Sequence, residues 1–292
     1  MKITDKKYRA LITGSEGFIG HHLKARLNHL DWEVVCWDMI KWSKDVKEIA
    51  SYNDKVDVVF HLAGITADQN FKNNLIDSYD VNLTGTLAVL NYCKKSNAKC
   101  VFASTSGIYC ESNDLIKESS PVKPSRPYSI SKLLAENLCY RFSKDWNIPV
   151  ISLRIFNVFG EKQSEPFIVP YLINKLINNE IIKLRMPDAV RDFIYISDVV
   201  EAMINAANFD NKGFRIYNIG TSKPTKIIKL LHMLEEIFEK NAKINYIESN
   251  PGELSMIVCD NSKAINELGW KLNYDLQSGL ISMKGSLERN NN

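Results

Sequence analysis

The chain has 292 residues, 45% of them hydrophobic and 24% charged, with a net charge of +3. That balance suits a globular protein of one large domain or a domain with a smaller appendage, and it excludes a disordered or fibrous chain. Basic residues are scattered, which gives no footprint for nucleic acid, and no apolar run reaches the ~20 residues that cross a bilayer. The start, Met1 to Arg9, lacks the long apolar core of a secretory signal, so the expected location is cytoplasmic.

In chain order, short β-rich runs at 8–13, 33–37, 56–61, 100–104 and 150–153 alternate with helical patterns at 18–30, 75–96 and 127–146. Continuous apolar strands such as Val56-Asp57-Val58-Val59-Phe60 suit a sheet buried on both faces. Strands that alternate with helices pair in parallel through right-handed crossovers, which predicts a doubly wound α/β sheet. Beyond about residue 155 helical patterns dominate, at 169–179, 197–208, 225–240 and 261–268, with strand candidates at 181–184, 214–219 and 243–247. The expected organisation is a sheet domain over 1–160, to which segments around 185–220 return, and a smaller, mainly helical C-terminal region over 161–292.

Cys36, Cys93, Cys100, Cys110, Cys139 and Cys259 form no Cys-x-x-Cys pair and read as small buried apolar residues. The five histidines show no metal-ligand spacing, and no metal is expected.

The first strand meets the first helix through Gly14-Ser15-Glu16-Gly17-Phe18-Ile19-Gly20. Gly14 permits a tight turn, Gly17 lets the backbone approach a pyrophosphate, and Gly20 lets the helix lie close to the strand. Free N–H groups at the helix start, around Phe18 and Ile19, then face an anion. Asp38 ends the second strand, where a carboxylate can accept both ribose hydroxyls and repel a 2′-phosphate, which favours NAD over NADP.

A series of motifs extends this pattern along nearly the whole chain: Gly14-x-x-Gly17-x-x-Gly20, His61-Leu62-Ala63-Gly64, Asp80-Val81-Asn82-Leu83-Thr84-Gly85-Thr86 and Ser104-Thr105-Ser106. Tyr128-x-x-x-Lys132, Leu153-Arg154-Ile155-Phe156-Asn157, Arg191-Asp192-Phe193 and Leu268-Gly269-Trp270 follow. In this order they resemble the extended short-chain dehydrogenase/reductase family, in particular its NAD-dependent epimerase/dehydratase branch acting on nucleotide sugars. The resemblance implies a Rossmann-type fold, NAD as cofactor, and catalysis by Thr105, Tyr128 and Lys132.

The Tyr-x-x-x-Lys spacing occurs three times, at Tyr128/Lys132, Tyr140/Lys144 and Tyr171/Lys175, each pair on one helix face. Only Tyr128 opens a helix, after Pro127 and downstream of a hydroxyl-rich strand end. Tyrosine, with an ordinary pKa of about 10, is a poor base at neutral pH. A lysine one helical turn away and an oxidised nicotinamide both stabilise its phenolate, while Thr105 hydrogen-bonds the same sugar oxygen.

The resemblance also implies that Asp45 and Val46 flank the adenine. Leu62, Ala63, Gly64 and Ser104 would line the cofactor, together with Tyr128 and Lys132, and Asn82 would support the central helix. Asn157, Arg191 and Glu253 would meet a nucleotide-diphosphate sugar, the arginine fork suiting a diphosphate. Three departures carry information. Asn250-Pro251-Gly252-Glu253 stands where many relatives have Arg-Pro-Gly-Asp, so the phosphate-gripping arginine is missing there. Ser106-Gly107 replaces the Asp-Glu that 4,6-dehydratases place after the threonine, which argues against that reaction. Thr66 stands where many 4-epimerases have lysine.

The expected activity is a 4-epimerase working through a transient 4-keto sugar. A 4-keto-6-deoxy nucleotide-sugar reductase or dehydrogenase, and a non-catalytic NAD sensor, stay open beside it. Apolar residues on several faces of the helices at 75–96 and 127–146 (Leu83, Leu87, Leu90, Ile130, Leu133, Leu134 and Leu138) point to a homodimer.

Overall fold

The computed structural model describes residues 7–66, 68–248 and 255–290. Strand β1 (Arg9–Thr13) carries Ala10, Leu11 and Ile12, none with any exposed surface, because both of its faces are covered. It hydrogen-bonds in parallel to β2 (Glu33–Trp37) on one side and β3 (Val58–His61) on the other. With β4 (Lys99–Thr105), β5 (Val150–Ile155) and β8 (Phe214–Ile219) the six-stranded order is β2-β1-β3-β4-β5-β8. This is a Rossmann-type parallel sheet, and its order reverses at β1. The carboxyl ends of β1 and β3 therefore diverge and leave the crevice in which such sheets bind ligands.

Helices fall where the sequence puts their signals. Helix α1 (Phe18–His29) follows the glycine turn, and the short α2 (Met39–Trp42) follows β2 with Asp38 as its N-cap. Helix α3 (Asp68–Asn73) precedes α4 (Leu75–Ser96), which opens on an Asn74 cap, has Asp77 in its first turn, and ends on Lys94 and Lys95 before a left-handed Asn97. That charge order complements the helix dipole. Pro127 starts α5 (Pro127–Trp146), where its missing N–H costs nothing. Leu11, Val59, Phe102, Val89, Leu90 and Ala135 meet in the core between the sheet and α4 and α5. Each large side chain buried there contributes about 1.5–3 kcal/mol.

The described chain divides into two compact units. The first takes residues up to 108, 126–154 and 200–217, including most of helix α6 (Ile196–Asn208). The second takes 109–125, 155–199 and the chain from 218 on. Besides its helices the second unit carries a small sheet. In it β6 (Asn157–Phe159) pairs in parallel with β7 (Val190–Tyr195), which is flanked by β9 (Pro224–Lys226) and β10 (Met256–Ile257). A separate parallel pair joins the segments Ile181–Leu184 and Lys243–Tyr246. The strand at 190–195 goes unread in the sequence because its motif residues, Arg191 and Asp192, interrupt the apolar pattern.

Candidate active site

The glycine turn is set by close approaches. Gly14 has φ +71°, and a Cβ there would lie 2.8 Å from the backbone nitrogen of Ala63. A Cβ on Gly20 would lie 2.1 Å from the Gly14 carbonyl, so α1 can rest on the turn only with glycine at that place. The helix start at Gly17 has no side-chain cap and its first turn no acidic residue. Its N–H groups therefore keep their capacity for an anion.

Asp38 is buried at the end of β2. One carboxylate oxygen accepts the Ile40 N–H (2.8 Å) and the other the Glu16 N–H (3.1 Å), which ties the second strand to the glycine turn. Each oxygen keeps a further lone pair for a ribose hydroxyl. Asp45 N-caps a 3-10 turn, Val46–Ser51, by accepting the Lys47 N–H at 2.9 Å. Val46 is buried, and its Cγ1 would lie 2.6 Å from a Cβ on Gly85 of α4. Both residues thus hold local structure, as a cap and as packing. Leu62 and Ala63 leave β3 directly against Gly14, and Gly64 abuts the Asn82 side chain.

Ser104 and Thr105 end β4. The Thr105 hydroxyl oxygen accepts the Gly107 N–H at 3.1 Å, which leaves its own hydrogen free to turn towards a substrate oxygen. A Cβ on Gly107 would lie 2.6 Å from Ser129 Oγ, so Gly107 packs closely against the residue after Tyr128. Tyr128 and Lys132 stand in the first turns of α5, and the Tyr128 ring meets Phe71 of α3 edge-on at 6.4 Å. Lys132 is buried with its ammonium 4.1 Å from the Phe102 ring centre. Burial pulls its pKa down to about 8, against the opposing pull of Cys139 and Glu136, so it is still protonated at neutral pH.

A buried polar path escaped the sequence reading. It runs through Thr13, His61, Thr86, Asn82 and Ser131 to the carbonyl of Tyr128. The available signal was Thr86 four residues after Asn82, and Ser131 three after Tyr128, at helical spacing. The other two Tyr-x-x-x-Lys pairs lie elsewhere: Tyr140 is exposed beside Phe214, and the Tyr171 hydroxyl accepts the Lys183 N–H.

In the second unit, the Asn157 side chain donates to the Asp192 carbonyl at 3.3 Å, and Arg191 donates to the Val190 carbonyl at 3.0 Å. Asp192 faces the other way from Arg191, as neighbours on a strand must. It is buried, and it accepts from Thr221 (N–H 2.7 Å, hydroxyl 2.6 Å), the Ser222 N–H (3.0 Å) and Cys259 (N–H 3.2 Å, thiol 3.1 Å). Glu253 and the segment 250–254 lie outside the described residues.

The fold defines the class: a doubly wound α/β protein with a glycine turn at the switch point of its sheet. The model of the NAD dependent epimerase/dehydratase family matches residues 10–220. The chain belongs to that family, and it is an NAD-dependent enzyme of the extended short-chain dehydrogenase/reductase type. It is 30% identical over 306 residues to a Methanocaldococcus jannaschii protein provisionally named a UDP-glucose 4-epimerase, covering 96% of this chain and 99% of that one. It is similar in structure to MoeE5 in complex with UDP-glucuronic acid and NAD, with TM-score 0.90, 25% identity, and coverage of 97% and 99%. It is also similar to UDP-glucuronic acid 4-epimerase from Bacillus cereus in complex with UDP-glucuronic acid and NAD, with TM-score 0.85, 27% identity, and coverage of 97% and 99%.

The residues at the switch point fit the dinucleotide. Ser15 Oγ in the glycine turn and Ser104 Oγ at the end of β4 are buried hydroxyl groups with no hydrogen-bond partner among the described residues, beside the carboxyl ends of strands where such sheets bind ligands.

Proposed function

We propose that this chain is a nucleotide-sugar 4-epimerase with a uridine diphosphate sugar as substrate. The observation that carries the reading is the set at the ends of β4 and α5: a tyrosine, a buried lysine ammonium one helical turn further on, and a threonine hydroxyl already turned by the Gly107 N–H. The names of the relatives supply the uridine diphosphate, and 4-epimerases recur among them. Ser106-Gly107, in place of the Asp-Glu that follows the threonine in 4,6-dehydratases, supplies neither the acid nor the second base of dehydration and argues against that reaction.

Bound NAD supplies the chemistry of taking two electrons and a hydrogen from C4 and returning them to the opposite face. Tyr128 takes the proton of the C4 hydroxyl in the first half and gives it back in the second. Lys132 holds the phenolate by its positive charge, and Thr105 donates a hydrogen bond to the C4 oxygen and fixes its direction. Gly14, Gly17, Phe18, Ile19 and Gly20 hold the pyrophosphate through backbone N–H groups, and Asp38 takes the adenosine ribose. Leu62, Ala63, Gly64 and Ser104 line the nicotinamide side, with Asp45 and Val46 towards the adenine. The first unit is thus the cofactor-binding part and the second the substrate-binding part, with Asn157, Arg191 and Glu253 assigned to the nucleotide-sugar phosphates and ribose. We also assign the chain to the cytoplasm and to a homodimer.

Tyr128→Phe tests the reading. It should leave NAD affinity within about threefold and lower turnover of the sugar by about 10²-fold or more. Near-normal turnover by the folded variant would overturn the role of Tyr128.

A further inference from the structure

The geometry points to a role for His61 that neither the family match nor the motifs assign. We infer that His61 is a positioning residue. Held in one tautomer between Thr13 and Thr86, it ties the backbone that follows β3 to the first turn of α5 and so fixes where Tyr128 stands. The inference rests on the epimerase reading above for its kinetic consequence, but not for its structural one.

The hydrogens along the path assign themselves. Thr86 gives its only hydroxyl hydrogen to the Asn82 carbonyl at 2.7 Å, so towards His61 Nε2 (2.9 Å) its oxygen can only accept. Nε2 therefore carries the proton and Nδ1 is bare. Thr13 donates to Nδ1 at 2.8 Å, and its oxygen accepts the N–H groups of Leu62 and Ala63, both at 3.2 Å. On the far side, the Asn82 amide is fixed in orientation. Its oxygen accepts the Ile65 N–H (2.7 Å), and its two N–H bonds go to the Ile65 carbonyl (3.0 Å) and Ser131 Oγ (2.9 Å). Ser131 passes its own hydrogen to the Tyr128 carbonyl at 2.7 Å.

One end of this path thus holds Leu62 and Ala63 and the other holds Tyr128. The hydrogens run one way from Leu62 and Ala63 to the Asn82 main-chain carbonyl, and again from the Asn82 side-chain amide to the Tyr128 carbonyl, the two stretches being joined through Asn82 itself. A buried polar chain of this kind is costly unless fully satisfied, and when satisfied it specifies one arrangement. A proton on Nδ1 would face the Thr13 hydroxyl hydrogen and break the order. Burial first, and then the charge of Lys132, keep that proton off by holding the His61 pKa at about 3. Apolar packing could fill the same space but would leave the first turn of α5 without its directional tie.

Single substitutions can restore one side of the imidazole at a time. His61→Gln offers an N–H near the place of Nε2, for Thr86; His61→Asn offers an oxygen near the place of Nδ1, for Thr13; His61→Leu offers neither. Ser131→Ala removes only the last bond and keeps the packing. In the full-length protein with NAD, we expect His61→Leu and Ser131→Ala to lose about tenfold or more in kcat, with the KM for the sugar nearly unchanged. The acidic limb of their kcat/KM profile should move to higher pH. His61→Gln should recover more activity than His61→Asn, because only the Thr86 side leads to Tyr128. Equal losses in all three His61 variants that follow melting temperature alone would overturn the proposal, as would a wild-type kcat and pH profile in folded Ser131→Ala.

Amide hydrogen exchange keeps the two readings apart. Exchange at 128–132 should quicken in His61→Leu and Ser131→Ala even if the wild type converts no uridine diphosphate sugar, an outcome that sinks the epimerase reading alone. Unchanged exchange there sinks the positioning role.

Discussion

A single imidazole shows how a polar side chain inside a sheet bears on both stability and function. The unfolded chain binds a proton at His61 near pH 6.5, whereas the folded chain refuses it until about 3. As pH falls through that window the unfolded state gains protons that the folded state does not, so folding stability drops; above about 6.5 the group contributes no slope. Between pH 6.5 and 4.5 the loss from this residue is at most about 2–3 kcal/mol. Chemical denaturation of His61→Gln beside the wild type should show a flatter decline over those two pH units, and parallel curves would contradict the assignment. At this scale the sequence was legible wherever sterics admit one residue type, as at Gly14 and Gly20. It also set Tyr128 apart from the other two Tyr-x-x-x-Lys tyrosines as the one that opens a helix after Pro127, as it does in the structure. It did not show that Asp45 is a cap and Val46 a packing residue, nor that His61 joins two parts of the site, because such roles depend on neighbours distant in the chain.

Among the elements, α4 and α5 divide their surfaces between the core and the outside. Leu90 is buried, Leu83 and Leu138 lean on the core, and Leu87 and Leu134 point outward, 36% and 43% exposed. Burying the exposed two-fifths of such leucines against a second copy recovers about 0.5–1.3 kcal/mol for each side chain. Light scattering at micromolar concentration should therefore give twice the chain mass, and the double variant Leu87→Glu/Leu134→Glu should give the mass of one chain. A single-chain mass for the wild type would contradict the homodimer. The helices at 18–29, 75–96 and 127–146 were readable from their apolar spacing, caps and Pro127, whereas the helix Leu276–Asn290 went unread. In the second unit the paired strands at 181–184 and 243–246 were readable, but Val190–Tyr195 was not, since it holds a buried aspartate whose acceptors are satisfied by Thr221, Ser222 and Cys259. No local pattern announces a carboxylate paid for by residues so far along the chain.

For the molecule as a whole, the order of motifs carried the family, and the alternation of strands and helices carried the sheet. The nucleotide and the sugar were not legible, because specificity rests on a few polar groups and the Asn250-Pro251-Gly252-Glu253 segment departs from the usual pattern. The central claim is that Tyr128, Lys132 and Thr105 serve a reversible oxidation at C4 with no net change in NAD. Its most direct test incubates the purified protein with UDP-glucose, UDP-glucuronic acid or UDP-N-acetylglucosamine, while sugar stereochemistry is followed by NMR and nicotinamide absorbance is recorded. One of these sugars should come to equilibrium with its C4 epimer while the absorbance stays level. Stoichiometric gain or loss of NADH alongside sugar conversion, without the epimer, would contradict it.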